Sequence, residues 1–332
     1  MPVSNEKIAV IGGGAVGTYV AWSLLRAGRD VIVCTRRAVA SLSVRSGDGA
    51  ADSVPLRSVT EPSALPPLDW VLVATKAQDT GSVGPWLEAG AGPGTVIVLL
   101  QNGIDHAGRL GALAAGRIVL PALVHINLQP LRPGQVWHRT GHEISVPAGP
   151  EGERMAELFA GSAIAIRPET DFAAAAWRKL LHNSAHNPIL TLTGRRADVF
   201  AEPDVRELAR RLILEAAAVA AARGVMLTGQ DTEKIVAALG DLPPDAGNSM
   251  LFDRLRGRAL EREFITGAIV RAGREAGVPT PLHDAVLALL RAISNAPPGP
   301  LPDPGLPDSA VPEPGAGSPS QAGTSRVAAG PA

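Results

Sequence analysis

The sequence predicts an α/β domain with a doubly wound, largely parallel sheet over residues 1–170, followed by an all-α domain over residues 171–296. In the first part, short apolar runs rich in β-branched residues alternate with helix-like segments, as is typical of buried parallel strands and their crossover helices. After residue 170, almost every segment has the apolar spacing of a helix. Residues 297–332 are mostly Pro, Gly, Ala and Ser and cannot bury enough apolar surface to order themselves, so we expect a disordered tail.

Length and composition exclude several classes of protein. A chain of 332 residues is long enough for two ordinary domains, and its net charge of −1 gives no reason to expect a nucleic acid partner. The single cysteine, Cys34, cannot form an internal disulfide, and no Cys/His cluster has the spacing of a zinc site. The uncharged stretch 8–25 has glycines at its centre and follows Glu6, which argues against a membrane helix or a signal peptide. We therefore expect a cytoplasmic protein without a membrane partner.

A glycine-rich turn lies in a strand, turn, helix, strand context over residues 7–34. The turn consists of Gly12, Gly13, Gly14, Ala15, Val16 and Gly17. Gly12 permits the tight turn, Gly14 lets the backbone approach a pyrophosphate, and Gly17 lets the helix pack closely on the strand. Because the helix N-terminus also supplies free N–H groups, this context predicts a dinucleotide-binding Rossmann domain. A chance match in a glycine-rich chain is the alternative.

The end of the second predicted strand indicates which dinucleotide is bound. An acidic residue there would accept a hydrogen bond from the ribose hydroxyls of NAD. Here the strand ends at Cys34 and is followed by Thr35, Arg36 and Arg37. Guanidinium groups suit a 2′-phosphate, so the sequence favours NADPH as the cofactor, with Arg36 as a ligand. The alternative is an ordinary pair of surface arginines.

Polar residues follow two further predicted strands. Lys76 comes after the strand over residues 70–74, and Asn102 comes after the strand over residues 95–100. In open α/β sheets, ligands bind beyond the carboxyl ends of the strands, so both side chains should lie on the cofactor side. Each of them alone could be a turn residue.

Between residues 117 and 170 the pattern changes. Residues 119–128, 135–140 and 143–146 are predicted as short strands joined by glycine-containing turns, and they should extend the sheet in mixed or antiparallel fashion. A helix over residues 151–159 and a last strand over residues 163–166 follow. The predicted helices of the second domain cover residues 172–187, 204–223, 232–239, 249–256, 260–277 and 281–296.

The first of these helices carries the candidate active site. Lys179, Asn183 and Asn187 recur at every fourth position, and each step of four residues rotates the side chain by only about 40°, so they form one stripe. An ammonium and two amides present donors and acceptors to a small polar ligand. Pro188 should kink or break the helix against the carbonyl of Ser184, which would leave Asn187 at the edge of an opening.

The alternative for this stripe is a solvated helix face. Two features favour a function instead. The rest of the helix is Ala, Leu and Trp, as expected of a helix that is buried on most sides. The chain has lysine only at Lys7, Lys76, Lys179 and Lys234 and otherwise uses arginine, so Lys179 is retained where an ammonium that can give up its proton is useful.

Together these segments resemble the ketopantoate reductase (2-dehydropantoate 2-reductase) family over residues 7–295. The motifs that carry the resemblance, in order, are Gly12 to Gly17, Thr75-Lys76-Ala77, Gln101-Asn102-Gly103, Trp177-Arg178-Lys179 with Asn183, Asn187-Pro188, Ser249-Met250-Leu251-Phe252-Asp253, Leu260-Glu261-Arg262-Glu263-Phe264-Ile265-Thr266-Gly267 and Gly277-Val278-Pro279-Thr280-Pro281. The resemblance implies a Rossmann domain and a helical domain with the active site in the cleft between them. It also implies hydride transfer from NADPH to ketopantoate, which yields pantoate for pantothenate and coenzyme A biosynthesis.

The resemblance also implies roles for individual residues. Lys179 matches the family's catalytic lysine. Glu261 matches an acidic residue that faces the cofactor ribose and the active site, so we expect it to be a cofactor-binding residue and a second catalytic residue. Lys76 and Asn102 match cofactor-side residues, with Asn102 near the substrate as well, and Arg36 matches the arginine at the 2′-phosphate. The substrate-binding residues by this match are Asn102, Lys179, Asn183, Asn187 and Ser249. For Glu261, charged neighbours in the sequence leave a solvated helix carboxylate as the alternative.

Departures from the family pattern leave the substrate open. Arg262 stands where an apolar residue is frequent, Ala246-Gly247 stands where more polar groups are frequent, and Arg195-Arg196 stands where Asn-Gly is frequent. We therefore expect a small 2-keto acid as substrate, and keep two alternatives: a reductase of the same fold for another 2-keto acid or an imine, and a non-catalytic NADPH-binding sensor. The sequence patterns leave the oligomeric state open, with a homodimer as one alternative.

Overall fold

The computed structural model describes residues 6–47 and 49–295, which all belong to one compact unit. The tail predicted for residues 297–332 lies outside these ranges. The predicted domain boundary near residue 170 stays a prediction, although the last strand ends at Glu169 and a long helix begins at Phe172.

Strands dominate the part of the chain before residue 170. They are β1 (Lys7–Ile11), β2 (Asp30–Cys34), β3 (Ser41–Ser46), β4 (Asp52–Pro55), β5 (Arg57–Val59), β6 (Leu68–Val73), β7 (Ala91–Leu99), β8 (Ile118–Pro121), β9 (Leu123–Pro130), β10 (Gln135–Pro147) and β11 (Ala165–Glu169). The helices in this part are α1 (Ala15–Arg26), α2 (Gly84–Gly90), α3 (His106–Leu110) and α4 (Pro150–Leu158).

The predicted parallel sheet is confirmed. Its order is β5-β2-β1-β6-β7-β8, and every neighbouring pair is parallel. β1 and β2 are apolar and buried along almost their whole length, because helix α1 packs on one face of the sheet and α2 and α3 pack on the other. The carboxyl ends of β1, β2, β6 and β7 therefore meet at one edge, where the glycine turn, Lys76 and Asn102 lie.

A second sheet, absent from the sequence prediction, lies beside the first. Its order is β11-β10-β3-β4, with β9 paired to β10, so the prediction that residues 119–146 all extend the first sheet is wrong beyond β8. The separately predicted strands at 135–140 and 143–146 form one strand, β10, with irregular pairing in its middle. These strands form a separate sheet because apolar and polar residues alternate in β3. Leu42 and Val44 are buried and their neighbours are polar, so only one face of the strand needs a covering layer. Helix α1 provides that layer.

The second part of the chain is helical, as predicted. Its helices are α5 (Phe172–Thr193), α6 (Pro203–Ala222), α7 (Gly229–Gly240), α8 (Ser249–Leu255), α9 (Thr266–Ala276) and α10 (Pro281–Asn295). Their apolar faces share one hydrophobic core, to which α5 contributes Trp177, Leu181 and Leu190 among others. The helix predicted over residues 260–277 begins only at Thr266, because Glu261 lies in the preceding loop, where its carboxylate binds other parts of the chain.

Helix α5 passes through Pro188 without ending. Asp171 caps the helix, since its Oδ1 accepts from Ala174 N at 3.0 Å, but the predicted break at Pro188 is wrong. The proline removes one backbone donor, yet the turn after it buries Ile189 and Leu190 in the helical core, and this burial holds the helix together. The helix ends instead at Gly194, whose φ of 70° is the left-handed conformation that terminates many helices.

Candidate active site

The glycine turn between β1 and α1 has the geometry of a phosphate cradle. Gly12 has a φ of +113°, and a Cβ there would lie 2.8 Å from the Ala74 carbonyl carbon. A Cβ on Gly17 would lie 1.9 Å from the Gly12 oxygen, so both positions require glycine. A Cβ added at Gly14 would have no atom within 4 Å. Gly14 is the N-cap of α1, and no side chain caps this end of the helix. The turn thus offers free N–H groups and room for a pyrophosphate, so these residues fit a dinucleotide.

Arg36 lies just beyond the carboxyl end of β2, at the same edge of the sheet. Its side chain is exposed and forms no hydrogen bond or ion pair with any other described residue. Nearby, Thr35 Oγ donates to the Arg37 carbonyl at 2.7 Å, which fixes the turn that carries Arg36. The guanidinium is therefore available to an external anion.

Three charged side chains from distant parts of the sequence meet next to this edge. Lys76 Nζ lies 2.6 Å from Asp253 Oδ2 and 3.3 Å from Glu261 Oε2. Glu261 also accepts from the Ala77 N–H at 3.0 Å and from Asn102 Nδ2 at 3.3 Å. Because Glu261 is only 4 % exposed, the alternative of a solvated helix carboxylate is wrong. We call Lys76, Asp253 and Glu261 the carboxylate cluster.

The charge states in the carboxylate cluster follow from burial and from its one cation. Burial alone would raise the pKa of Glu261, but the Lys76 ammonium, the Ala77 N–H and Asn102 together hold that pKa below its usual value. Burial raises the pKa of Asp253, against the opposing effect of Lys76. Burial acts to lower the pKa of Lys76, but the two carboxylates outweigh it and raise that pKa. At neutral pH Glu261 is thus an ionised acceptor and cannot serve as a proton donor.

Gln101 fixes the two loops that carry Lys76 and Asn102. Its Nε2 donates to the Thr75 carbonyl at 3.1 Å and to Thr75 Oγ at 3.0 Å, and its Oε1 accepts from Thr80 Oγ at 3.1 Å. The Gln101 carbonyl accepts from His106 at 3.0 Å, which places a proton on His106 Nε2. The buried amide therefore holds the ends of β6 and β7 in one arrangement.

Lys179 lies in a narrow cleft between α5 and the Asn102 loop, which we call the Lys179 cleft. The residues that line it are Gln101, Asn102, Gly103, Leu123, Ala176, Lys179, Leu180 and Asn183. Lys179 Nζ donates to the Val124 carbonyl at the start of β9, at 2.8 Å. The cleft thus brings three of the predicted site residues together: Asn102 from the sheet, and Lys179 and Asn183 from the helix. The solvated-face alternative does not describe these partly buried side chains.

The surroundings of Lys179 lower its pKa. Burial lowers its pKa to about 8, with Glu261 opposing the change. Burial also lowers the pKa values of His106 and His125 to about 4, and Lys179 contributes to both shifts. These imidazoles are therefore neutral at neutral pH, and of these three groups Lys179 is the one whose pKa lies near physiological pH.

Two predicted substrate residues lie outside the Lys179 cleft. Asn187 is 3 % exposed, in the turn of α5 that follows Asn183, and Ser249 is partly buried at the start of α8. Asn248 connects them, because its Nδ2 donates to the His186 carbonyl at 3.0 Å while its Oδ1 caps α8 by accepting from Leu251 N. The start of α8 is thereby tied to the turn of α5 that carries Asn187.

Sequence reasoning missed two residues that build the site. Asp253 provides the shortest contact to Lys76, and Gln101 holds the loops on both sides of it. Asp253 lies in the segment Ser249-Met250-Leu251-Phe252-Asp253. Its place between the apolar residues Phe252 and Leu255 was a usable signal in the sequence, because a carboxylate on an apolar helix needs a partner. Gln101 gave no comparable signal.

Two other kinds of feature are absent from residues 6–47 and 49–295. No group of three or more His, Cys, Asp or Glu side chains in those ranges is arranged to hold a metal ion. None of the helices in the described part of the chain is long and apolar enough to span a membrane.

Comparison with known proteins gives the family. Residues 8–151 match the model for ketopantoate reductase PanE/ApbA, and residues 171–294 match the model for its C-terminal region. The chain belongs to the ketopantoate reductase family. A 2-dehydropantoate 2-reductase of Caulobacter vibrioides is 39 % identical over 288 residues, which cover 86 % of this chain and 98 % of that protein. One from Mycobacterium tuberculosis is 35 % identical over 291 residues, with 87 % and 98 % covered.

Solved structures agree with this membership in the ketopantoate reductase family. A PanE/ApbA family ketopantoate reductase from Ralstonia eutropha JMP134 matches with a TM-score of 0.79 and 29 % identity, covering 87 % of this chain and 98 % of that one. The dimeric ketopantoate reductase of Staphylococcus aureus matches with a TM-score of 0.75 and 28 % identity, covering 87 % and 99 %. The predicted Rossmann-plus-helical fold and the assignment to the oxidoreductases are confirmed.

Proposed function

We propose that this member of the ketopantoate reductase family reduces 2-dehydropantoate (ketopantoate) to pantoate with NADPH. The observation that supports it most directly is the position of Lys179. Its ammonium, with a pKa near 8, lies in one cleft with the amides of Asn102 and Asn183. Asn102 follows β7 and the glycine turn follows β1, so both lie at the carboxyl ends of strands in the same parallel sheet.

The chemistry of the Lys179 cleft suits reduction of a keto group. When bound, NADPH supplies a hydride that converts the keto carbon into a secondary alcohol carbon. Negative charge then develops on the keto oxygen, and the Lys179 ammonium stabilises it and donates the proton that completes the hydroxyl group. The resulting neutral amine regains its proton from water. Arginine could stabilise the charge, but it does not readily donate a proton.

The remaining site residues hold the two ligands in this proposal. The glycine turn and Arg36 bind the pyrophosphate and the 2′-phosphate, and the carboxylate cluster with Asn102 forms the wall on the nicotinamide side. Glu261 acts there as a positioning residue, because it is an ionised acceptor for three donors. Asn183, Asn187 and Ser249 hold the substrate's carboxylate and hydroxyl group.

A panel of 2-keto acids tests the function. NADPH oxidation is followed with 2-dehydropantoate, with 2-oxoisovalerate, which lacks the hydroxymethyl group, and with pyruvate. We expect kcat/KM for 2-dehydropantoate to exceed that for 2-oxoisovalerate by more than roughly 10²-fold, because a site built to bind a hydroxyl group rejects an analogue without it. Equal rates on all three would contradict the assignment of the substrate and favour a reductase of another 2-keto acid. NADPH binding without turnover of any keto acid or imine would favour the sensor.

The cofactor preference has its own test. Replacing Arg36 with Asp should weaken NADPH binding by about 1.5–3 kcal/mol and leave NADH binding much less changed, because a charge-assisted contact to the 2′-phosphate is lost. Dissociation constants from NADPH and NADH fluorescence measure this. Arg132→Asp, an equal change of charge at an exposed turn, is the control. Comparable use of NADH and NADPH by the unmodified protein would contradict the proposal.

The homodimer left open by the sequence stays a proposal. It rests on the Staphylococcus aureus enzyme, which is described as dimeric.

A further inference from the structure

A second cavity lies behind the active site. It has a volume of about 250 Å³ and is bounded by the loop after β6, the loop after β7, α3 and the start of α9. The residues that matter here are Ile104, Asp105, Arg109, Phe264, Ala268 and Arg271. We call it the Arg109 cavity.

The guanidinium of Arg109 lacks a close counter-ion. Its Nη1 donates to Gln101 Oε1 at 3.1 Å, and its Cζ lies 5.1 Å from the ring centre of Phe264. No carboxylate within the described ranges forms an ion pair with Arg109. The negative charges of Glu261 and Asp105 act on its guanidinium only from a longer distance. Burial lowers the pKa of Arg109, and the charges of Glu261 and Asp105 oppose this effect. An anion in the cavity would stabilise this partly buried cation.

Arg271 brings a second positive charge to the same cavity. Its Nη2 donates to the Glu263 carbonyl at 2.9 Å, whereas its distance to the Glu263 carboxylate is 3.9 Å. That carboxylate is engaged by Arg291 through two bonds of 2.8 and 2.9 Å. Arg271 is close enough to Arg109 to disfavour its charged form. The two guanidiniums thus face a space in which Asp105 is the one acidic lining residue.

The rest of the lining is apolar. Ile104, Phe264 and Ala268 form a wall next to the two guanidiniums. Inorganic phosphate would leave this apolar surface in contact with water. A carboxylate with a short hydrocarbon body matches both the charged and the apolar part of the cavity. Its charge pairs with arginine, and its hydrocarbon covers the apolar wall.

The Arg109 cavity is separate from the Lys179 cleft. The two share no lining residue. Between them lies the turn at Gly103, where an added Cβ would come within 2.7 Å of both Arg109 Nη2 and the Phe264 carbonyl oxygen. The turn that carries Asn102 is thus packed directly against the back of this cavity.

We propose that the Arg109 cavity binds a small aliphatic carboxylate and that, given the proposed function, its binding inhibits the reductase from a site that neither substrate occupies. Arg109 holds Gln101, and Gln101 holds Thr75 and Thr80 on the two sides of Lys76. A carboxylate that draws Arg109 toward the cavity weakens this support. The Lys76 and Asn102 loops then lose the arrangement that the carboxylate cluster requires.

Calorimetry on the full chain tests binding without any need for turnover, so its result is independent of the proposed function. Cyclopentanecarboxylate is the probe, and inorganic phosphate is the second arm. We expect one site per chain for the carboxylate and at least tenfold weaker binding in both Arg271→Gln and Ala268→Leu, the second of which fills the apolar half. Arg223→Gln, an exposed arginine paired with Glu275, is the control and should bind normally, as should Lys179→Ala.

Several outcomes overturn the proposal. Binding that survives both cavity variants places the carboxylate elsewhere. Binding lost in Lys179→Ala places it in the Lys179 cleft. Phosphate that binds as tightly as the carboxylate removes the role of the apolar wall. In steady-state assays, we expect the carboxylate to inhibit the parent and to need at least a tenfold higher concentration to inhibit Ala268→Leu. Equal inhibition of both proteins contradicts inhibition from this cavity.

Discussion

Replacing Lys179 with alanine is expected to lower turnover of the 2-keto acid by about 10²–10⁴-fold while NADPH binding stays nearly unchanged. The ammonium is the one titratable donor in the Lys179 cleft with a pKa near neutrality, whereas the glycine turn and Arg36 lie at a different part of the sheet edge. Turnover is measured by NADPH oxidation and binding by NADPH fluorescence. Lys234→Ala, at an exposed position of α7, is the control and should behave like the parent.

Lys179→Arg separates the charge from the proton. Arginine keeps a positive charge but does not readily release a proton, and its planar head is too large for the bond to the Val124 carbonyl, so little activity should return. In the parent, only the protonated ammonium can donate, so kcat/KM should fall as the pH rises through about 8, the pKa of Lys179 in the free protein. Near-normal turnover in the arginine variant would mean that Lys179 only stabilises charge. Water would then supply the proton, because Glu261 is ionised at neutral pH.

Replacing Lys76 with methionine is expected to cost roughly 3 kcal/mol of unfolding free energy at neutral pH, because it leaves two buried carboxylates without their cation. Asp253 and Glu261 have side chains that are each 5 % exposed, and both contact Lys76 Nζ. The cost is set at the low end of the usual range, since the Lys76 side chain is itself 37 % exposed and water screens part of its charge. Urea unfolding measures the change, and Lys234→Met is the control.

The pH dependence of the unfolding free energy of Lys76→Met tests whether the loss of stability is electrostatic. Without the ammonium, the pKa values of both carboxylates rise above their unfolded values, so the folded state binds more protons. Stability then falls as the pH rises through these raised pKa values, and the deficit should be smaller at about pH 5 than at about pH 8. Adding Glu261→Gln and Asp253→Asn should recover most of the stability at neutral pH. A deficit that does not change with pH, or no deficit at all, would contradict the electrostatic origin.

The sequence was sufficient where the structural reason is local. The glycine turn is required by contacts within a few residues, such as the Gly12 oxygen against Gly17, so a short motif predicts it. The spacing of Lys179 and Asn183 likewise follows from helix geometry alone, and both do line one cleft.

Where the reason is tertiary, the sequence was not sufficient. Pro188 predicts a break in isolation, but the helical core holds α5 together on both sides of it. β3 and β4 are short and partly polar, and they become recognisable only when β10 is present to pair with β3. The same holds for Asp253 and Gln101, whose roles depend on partners brought from elsewhere in the chain.

The contacts of Glu261 have a consequence for how the protein folds. Its carboxylate binds Lys76 across 185 positions of sequence and Asn102 across 159 positions. Closing loops of that length costs more conformational entropy than forming any neighbouring strand pair or helical turn, so these contacts form late. During synthesis, the strands that carry Lys76 and Asn102 leave the ribosome long before Asp253 and Glu261 do. A nascent chain that ends before Asp253 therefore contains Lys76 without either of the two carboxylates that pair with it in the folded protein.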